Sequence, residues 1–147
     1  MKTGQMLNTD FWKSVSLMNR EDKLFYLYLL TNSCTNHIGI YQITKKQIAF
    51  ELDYSLDTVT LLMDRFTEQY NLIHYNSTTL ELAIKKWGLL IEPIKGKRNM
   101  DYLFSELSNV EDPSLISYVS ESIAQPEIRS LYESFFETGR LSSSLEE

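Results

Sequence analysis

Residues 55–87, SLDTVTLLMDRFTEQYNLIHYNSTTLELAIKKW, constrain this chain most, because the apolar period changes there from that of a helix to that of a hairpin. Ser55 is a natural N-cap, and Val59, Leu62, Met63, Phe66 and Tyr70 follow at helical spacing, which predicts one buried face. After Asn71, Leu80, Leu82 and Ile84 alternate with Glu81, Ala83 and Lys85 beyond the turn residues Asn76, Ser77, Thr78 and Thr79. Alternation about a turn predicts two antiparallel strands with one covered face. Just upstream, Thr44 and Gln47 have capping-box spacing and open a helix with Ile48 and Leu52 inward. Asp53, Tyr54 and Ser55 then turn the chain into the next helix, the spacing of a helix-turn-helix.

The remaining segments fit around this unit. Asn8 or Thr9 can cap a short turn carrying Phe11, Trp12 and Val15, expected to fold back as an arm, and Asn19 caps a helix with Glu21 and Asp22 in its first turn. In that helix Leu24 to Leu30 is apolar all round, so it needs cover on more than one side, either from the chain's own core or from a second copy. Phe11, Trp12, Phe25, Tyr26 and Leu29 are the candidate oligomerisation residues. HIGIYQIT is a short β-rich segment, expected to be the first strand of a three-stranded sheet. Helix, strand, helix, turn, helix, hairpin is the order of a winged helix-turn-helix, so the expected class is α+β, mostly α, with additional C-terminal helices. Expected boundaries are a winged-helix domain at 1–92, a basic linker at 93–98, an acidic helical extension at 99–139 and a flexible tail at 140–147. Within the extension Asn99, Asp112-Pro113 and Pro126 mark helix starts and Gly139 marks a stop.

Charge divides the chain in two. Residues 1–99 hold 12 Lys and Arg against 10 Asp and Glu, a net of +2, whereas residues 100–147 hold 2 against 10, a net of −8. A near-neutral head with local basic patches and an acidic tail suggests separate tasks, the tail suiting protein partners better than nucleic acid. Cys34 is the single cysteine, so no internal disulfide can form, and His37 and His74 add too few soft ligands for a zinc site. The apolar run is too short to span a bilayer and MKTGQMLNTD lacks the apolar stretch of a signal peptide, so a cytoplasmic protein is expected. No catalytic triad, phosphate-binding Gly-rich loop or carboxylate pair stands out, which points away from an enzyme and from any cofactor.

The run from Phe11-Trp12 through KLFYLYLLTN at 23–32, GIYQI at 39–43 and IAFEL at 48–52, with the strand ending in Lys86-Trp87, resembles the N-terminal winged-helix domain of DnaD-like replication proteins. The likeness is to the replisome organisers of phages that infect Gram-positive hosts, and KGKRNMDYLFSELSNVEDPSLISYV is similar to the segment after the wing in those proteins. The resemblance implies origin binding and recruitment of the host helicase-loading machinery, usually as a homo-oligomer, so a homodimer or higher homo-oligomer is the expected state. Such organisers usually carry a further C-terminal region, which this chain, ending in GRLSSSLEE, is expected to lack or to have shortened.

Double-stranded DNA is the partner to test, because a helix-turn-helix places the outer face of its second helix in the major groove. That face is expected to hold Asp57, Thr58, Thr60, Leu61, Asp64, Arg65 and Glu68. Arg65 could read a guanine and Thr58 and Thr60 suit base or phosphate contacts, but three carboxylates oppose one arginine. Lys45 and Lys46 at a helix start, Lys85 and Lys86 at the end of the wing, and Lys95, Lys97 and Arg98 beyond it are the other candidate DNA contacts. Tyr41, Tyr54 and Tyr75 could stack on bases, with packing the alternative. A phage-type replication initiation protein that binds duplex DNA and engages host replication proteins leads these expectations. A DNA-independent interaction module, either dimeric adaptor or replication inhibitor, and a transcriptional regulator remain as alternatives.

Overall fold

The computed structural model describes residues 6–91 and 97–146; the side chains of 97, 98 and 140–146 lie outside the description, as does all of Lys95. The chain is α+β, with a three-stranded antiparallel sheet among helices. In order come α1 (Phe11–Ser14), α2 (Arg20–Thr31), β1 (Ile40–Gln42), α3 (Lys45–Leu52) and α4 (Leu56–Asp64). A wide π turn over Arg65–Gln69 follows, then β2 (Ile73–Asn76), β3 (Glu81–Ile84), α5 (Trp87–Leu90), α6 (Lys97–Ser108), α7 (Pro113–Ser120) and α8 (Pro126–Glu146).

Local chemistry fixes the starts of α2, α3, α4 and α7. Asn19 Oδ1 accepts the Asp22 N–H at 2.8 Å, Thr44 Oγ1 that of Gln47 at 3.1 Å, Ser55 Oγ that of Thr58 at 3.1 Å and Asp112 Oδ1 that of Ser114 at 3.1 Å. Each satisfies a helix donor that would otherwise lack a partner, worth about 1 kcal/mol. The Gln47 side chain does not complete the reciprocal bond of a capping box but donates to Cys34 Sγ and Glu51. Asp53 then enters the left-handed region at φ 57°, which closes α3 and turns the chain into α4. Two expected boundaries move: Asn99 lies inside α6, and α8 runs through Gly139 to Glu146. Gly139 marks a close approach, since a Cβ there would stand 2.5 Å from Pro113 Cγ. Its lack of a side chain lets α8 lie against the start of α7.

The sheet order is β1-β3-β2, with Ile40 opposite Ala83 and Ile73 opposite Ile84. All four residues of β3 are buried, Glu81 and Ala83 included, which overturns the one-sided alternation read from the sequence. The reason is tertiary: α7 lies across β3 and β1 and covers a face that a bare hairpin would leave wet. Glu81 accepts the backbone N–H groups of Glu111 and Asp112, both at 2.9 Å, and Asn76 Nδ2 donates to Asp112 Oδ2 at 2.8 Å. A buried carboxylate thus meets two orphan donors at the entry to α7, as its burial requires. One continuous core joins Phe25, Ile48, Leu62, Phe66 and Leu82 to Leu107, Leu115, Val119 and Tyr132, so the C-terminal helices share it with the sheet. Leu7 bridges to Ile91 and Asn8 N–H donates to Leu90 O at 2.6 Å, which ties the N-terminal segment to the end of α5.

Burial also settles the apolar stretch of α2. Phe11, Phe25, Tyr26 and Leu29 lie in the chain's own core, with ring centroids 5.1 Å apart for Phe25 and Phe66 and 5.7 Å for Tyr26 and Phe66. They offer no surface to a second copy, so as oligomerisation residues they are corrected to core residues; Trp12, 62% exposed, is the one of the five left open.

Candidate functional site

The helix pair α3–α4 is the surface to which a helix-turn-helix reading assigns function. On α4 the outward stripe is Asp57, Leu61 and Asp64, at spacings of four and three that place them on one face, and Glu68 is exposed in the turn that follows. Leu61 is 65% exposed, and Phe50 on α3 is 87% exposed. Thr58 and Thr60 are half-buried, and the Thr58 hydroxyl accepts from Ser55 Oγ at 2.9 Å as part of the helix cap.

Arg65, the one arginine expected on this face, is committed elsewhere. Its Nη1 donates to Asp22 Oδ1 at 2.5 Å, and Tyr70 Oη donates to Asp22 Oδ2 at 2.5 Å. Asp22 is 1% exposed, so its carboxylate depends on these two donors. The hydrogen bond to Asp22, with burial second, holds the Tyr70 phenol above its ordinary pKa and keeps it a donor. The π turn is what brings both groups to one carboxylate. In an α-helix residues five apart are rotated by roughly 140° about the axis and face different ways. Here Tyr70 N–H bonds to Arg65 O at 3.0 Å, the i to i+5 link of a π turn, which returns residues 65 and 70 to the same side. Sequence periodicity counts Tyr70 with the apolar face and Arg65 with the wet one; nothing local points to an acid 43 positions upstream.

The two described lysine pairs, Lys45-Lys46 and Lys85-Lys86, do not converge. Lys46 is exposed and Lys45 half-buried at the start of α3, beside the hairpin tip, where Ile43 N–H donates to Leu80 O at 2.9 Å. Lys85 and Lys86 are half-buried past the far end of β3, five residues along, or roughly 16 Å at strand rise. Lys97 and Arg98 fall in the first turn of α6 rather than a linker, with side chains outside the described residues. The candidate stacking tyrosines are partly committed too: Tyr41 is buried and donates to Leu29 O at 2.6 Å, Tyr75 donates to Ile43 O at 2.8 Å, and Tyr54 is half-buried. Among the described residues no group of His, Cys, Asp and Glu could hold a metal ion, and no helix is long and apolar enough to cross a membrane.

Comparison with protein families, curated proteins and solved structures finds no match to this chain.

Proposed function

We propose that this chain is the winged-helix module of a phage-type replication initiation protein of the DnaD-like kind, and that its α4 face docks a protein of the host helicase-loading machinery. Supporting the fold reading is the order helix, strand, helix, turn, helix, hairpin, and supporting the family reading are the segments that resemble phage organisers. The observation that carries the choice of partner is the withdrawal of Arg65 to Asp22. It leaves Asp57, Leu61, Asp64 and Glu68 as the exposed face, carboxylates around an apolar residue, which repels phosphate and suits a basic protein surface with an apolar pocket. Such a module acts by binding, in the cytoplasm. Self-association would rest on exposed apolar groups such as Trp12, not on the buried face of α2.

A second reading, duplex DNA binding, is favoured by Lys45 and Lys46, where lysine side chains and the first backbone N–H groups of α3 could hold a phosphate. Two titrations separate the readings. The chain is titrated against a purified helicase loader from a Gram-positive host and against a labelled duplex of about 30 base pairs over a salt series. Docking predicts saturable loader binding that is lost in Leu61→Asp, with weak duplex binding unaffected by that change. Tight duplex binding that falls steeply with salt and disappears in Lys45→Ala/Lys46→Ala, without loader binding, would overturn the docking assignment in favour of DNA.

A further inference from the structure

A cavity of about 310 Å³ opens between α1, α2 and the start of β2, and shares no residue with the α4 face. Leu17, Met18 and Leu72 give it an apolar lining, Lys13 and Lys86 are also wall residues, and no described residue of the wall is an acid. Leu17 is 100% exposed in the turn before α2, an apolar side chain left wholly in water. Among the described residues neither lysine is in an ion pair, so the wall carries net positive charge. The α4 stripe has the opposite character. Leu61, 65% exposed, stands four residues after Asp57 and three before Asp64, with Glu68 beyond, and none of these carboxylates is in a described ion pair. One surface is an apolar hollow with cations in its wall and the other an apolar knob flanked by acids. Both belong to the same folded chain and share no residue, so they can meet only between copies.

We propose that Leu61 of one copy seats in this cavity of a second copy, against Leu17, Met18 and Leu72, with the acids of the stripe drawn to the positive charge of Lys13 and Lys86. Charge selects this pairing over stripe against stripe, because opposite potentials across a contact attract and set its register whereas like charges face each other at a cost. The contact joins two different surfaces, so every copy offers one knob and one cavity. A single apolar knob and a few exposed charges make a small interface, with a dissociation constant on the order of 100 µM.

Sedimentation equilibrium of the full chain from about 10 µM to about 1 mM tests this. The mean mass should rise with concentration from that of a monomer, and less steeply at high salt. Leu61→Ser and Leu17→Glu should each weaken association by about tenfold or more, the first by removing the knob and the second by placing an acid where the acidic stripe approaches. Both positions are exposed, so circular dichroism and melting temperature should match those of the parent, which separates loss of contact from loss of fold. Mixed in equal amounts, the two variants should associate again at about the parent strength, because Leu17→Glu keeps its stripe and Leu61→Ser keeps its cavity. A monomer at every concentration, parent-like association of either variant, or a mixture no heavier than its components would each overturn the proposal. No loader is present in these samples, so their outcome is independent of loader docking at the α4 face.

Discussion

Replacing Arg65 by Met tests the feature on which the functional argument turns. Asp22 is 1% exposed, and without Arg65 its carboxylate keeps one side-chain donor, Tyr70 Oη. Removing one partner of a buried ion pair costs about 3–5 kcal/mol. The Arg65 side chain is 32% exposed, so water partly replaces it and the loss should be smaller, about 2–3 kcal/mol. For a chain of this length that corresponds to a fall in melting temperature of about 5–10 °C. Urea unfolding followed by circular dichroism measures it, and an unchanged denaturant slope would show that the two-state description holds. Asp22→Asn keeps the shape and removes the charge, so the double variant should lose less than the sum of the singles, with a coupling of about 1 kcal/mol or more. Duplex retention at low salt should not change in Arg65→Met. A stability loss below about 0.5 kcal/mol together with weakened duplex binding would mean that Arg65 is free to meet DNA, and the docking argument would fail.

Other predictions follow from particular contacts. At Gly139 alanine should gain about 1 kcal/mol of helix propensity but drive a Cβ to 2.5 Å from the Pro113 ring, for a net loss of about 1–2 kcal/mol; a stabilised Gly139→Ala would show that α8 does not pack there. Gly39 sits at φ +76° with the position of a Cβ 2.4 Å from Trp87 Cγ, so Gly39→Ala combines backbone strain with overlap and should cost more than about 2 kcal/mol in urea unfolding. Burial pushes the Asp112 carboxyl up, but hydrogen bonds from Ser114 and Asn76, the Ser114 backbone N–H and the charge of His74 outweigh it and leave the group below its ordinary value. A depressed folded-state pKa contributes stability that is present above the unfolded value of about 3.9 and is lost as pH falls through the folded one. Asp112→Asn should therefore flatten the acid limb of unfolding free energy below about pH 4; an unchanged limb would refute the assignment.

What could be read in the sequence was local. Asn19, Thr44, Ser55 and Asp112 cap helices because each reaches a backbone N–H within three residues, and such contacts are set by residue type and spacing. The order from α2 to β3 followed from apolar period for the same reason, but the strand expected to end at Lys86-Trp87 stops at Ile84 and Trp87–Leu90 is a helical turn. The candidate site was less legible because its outcome depends on partners far along the chain. Whether Arg65 faces DNA or a buried acid depends on Asp22, and whether Phe25 and Leu29 meet a second copy depends on the core that closes over them.

The same division runs through the β2–β3 hairpin. An alternating strand implies one dry face, yet whether the other stays wet depends on what packs there, and α7 lies about 30 residues downstream of β3. Glu81 has the composition of a surface residue and became the buried acceptor for the entry to α7, while Gly139 has the composition of a stop and became the gap that admits a neighbouring proline ring. Residue type and spacing alone determined the caps of α2, α3, α4 and α7 and the order from α2 to β3, since those energies act over a few ångströms of contiguous chain. Which charges remained free, and which apolar faces remained exposed, was decided only when distant segments met, since desolvation and pairing depend on whatever fills the space beside a side chain.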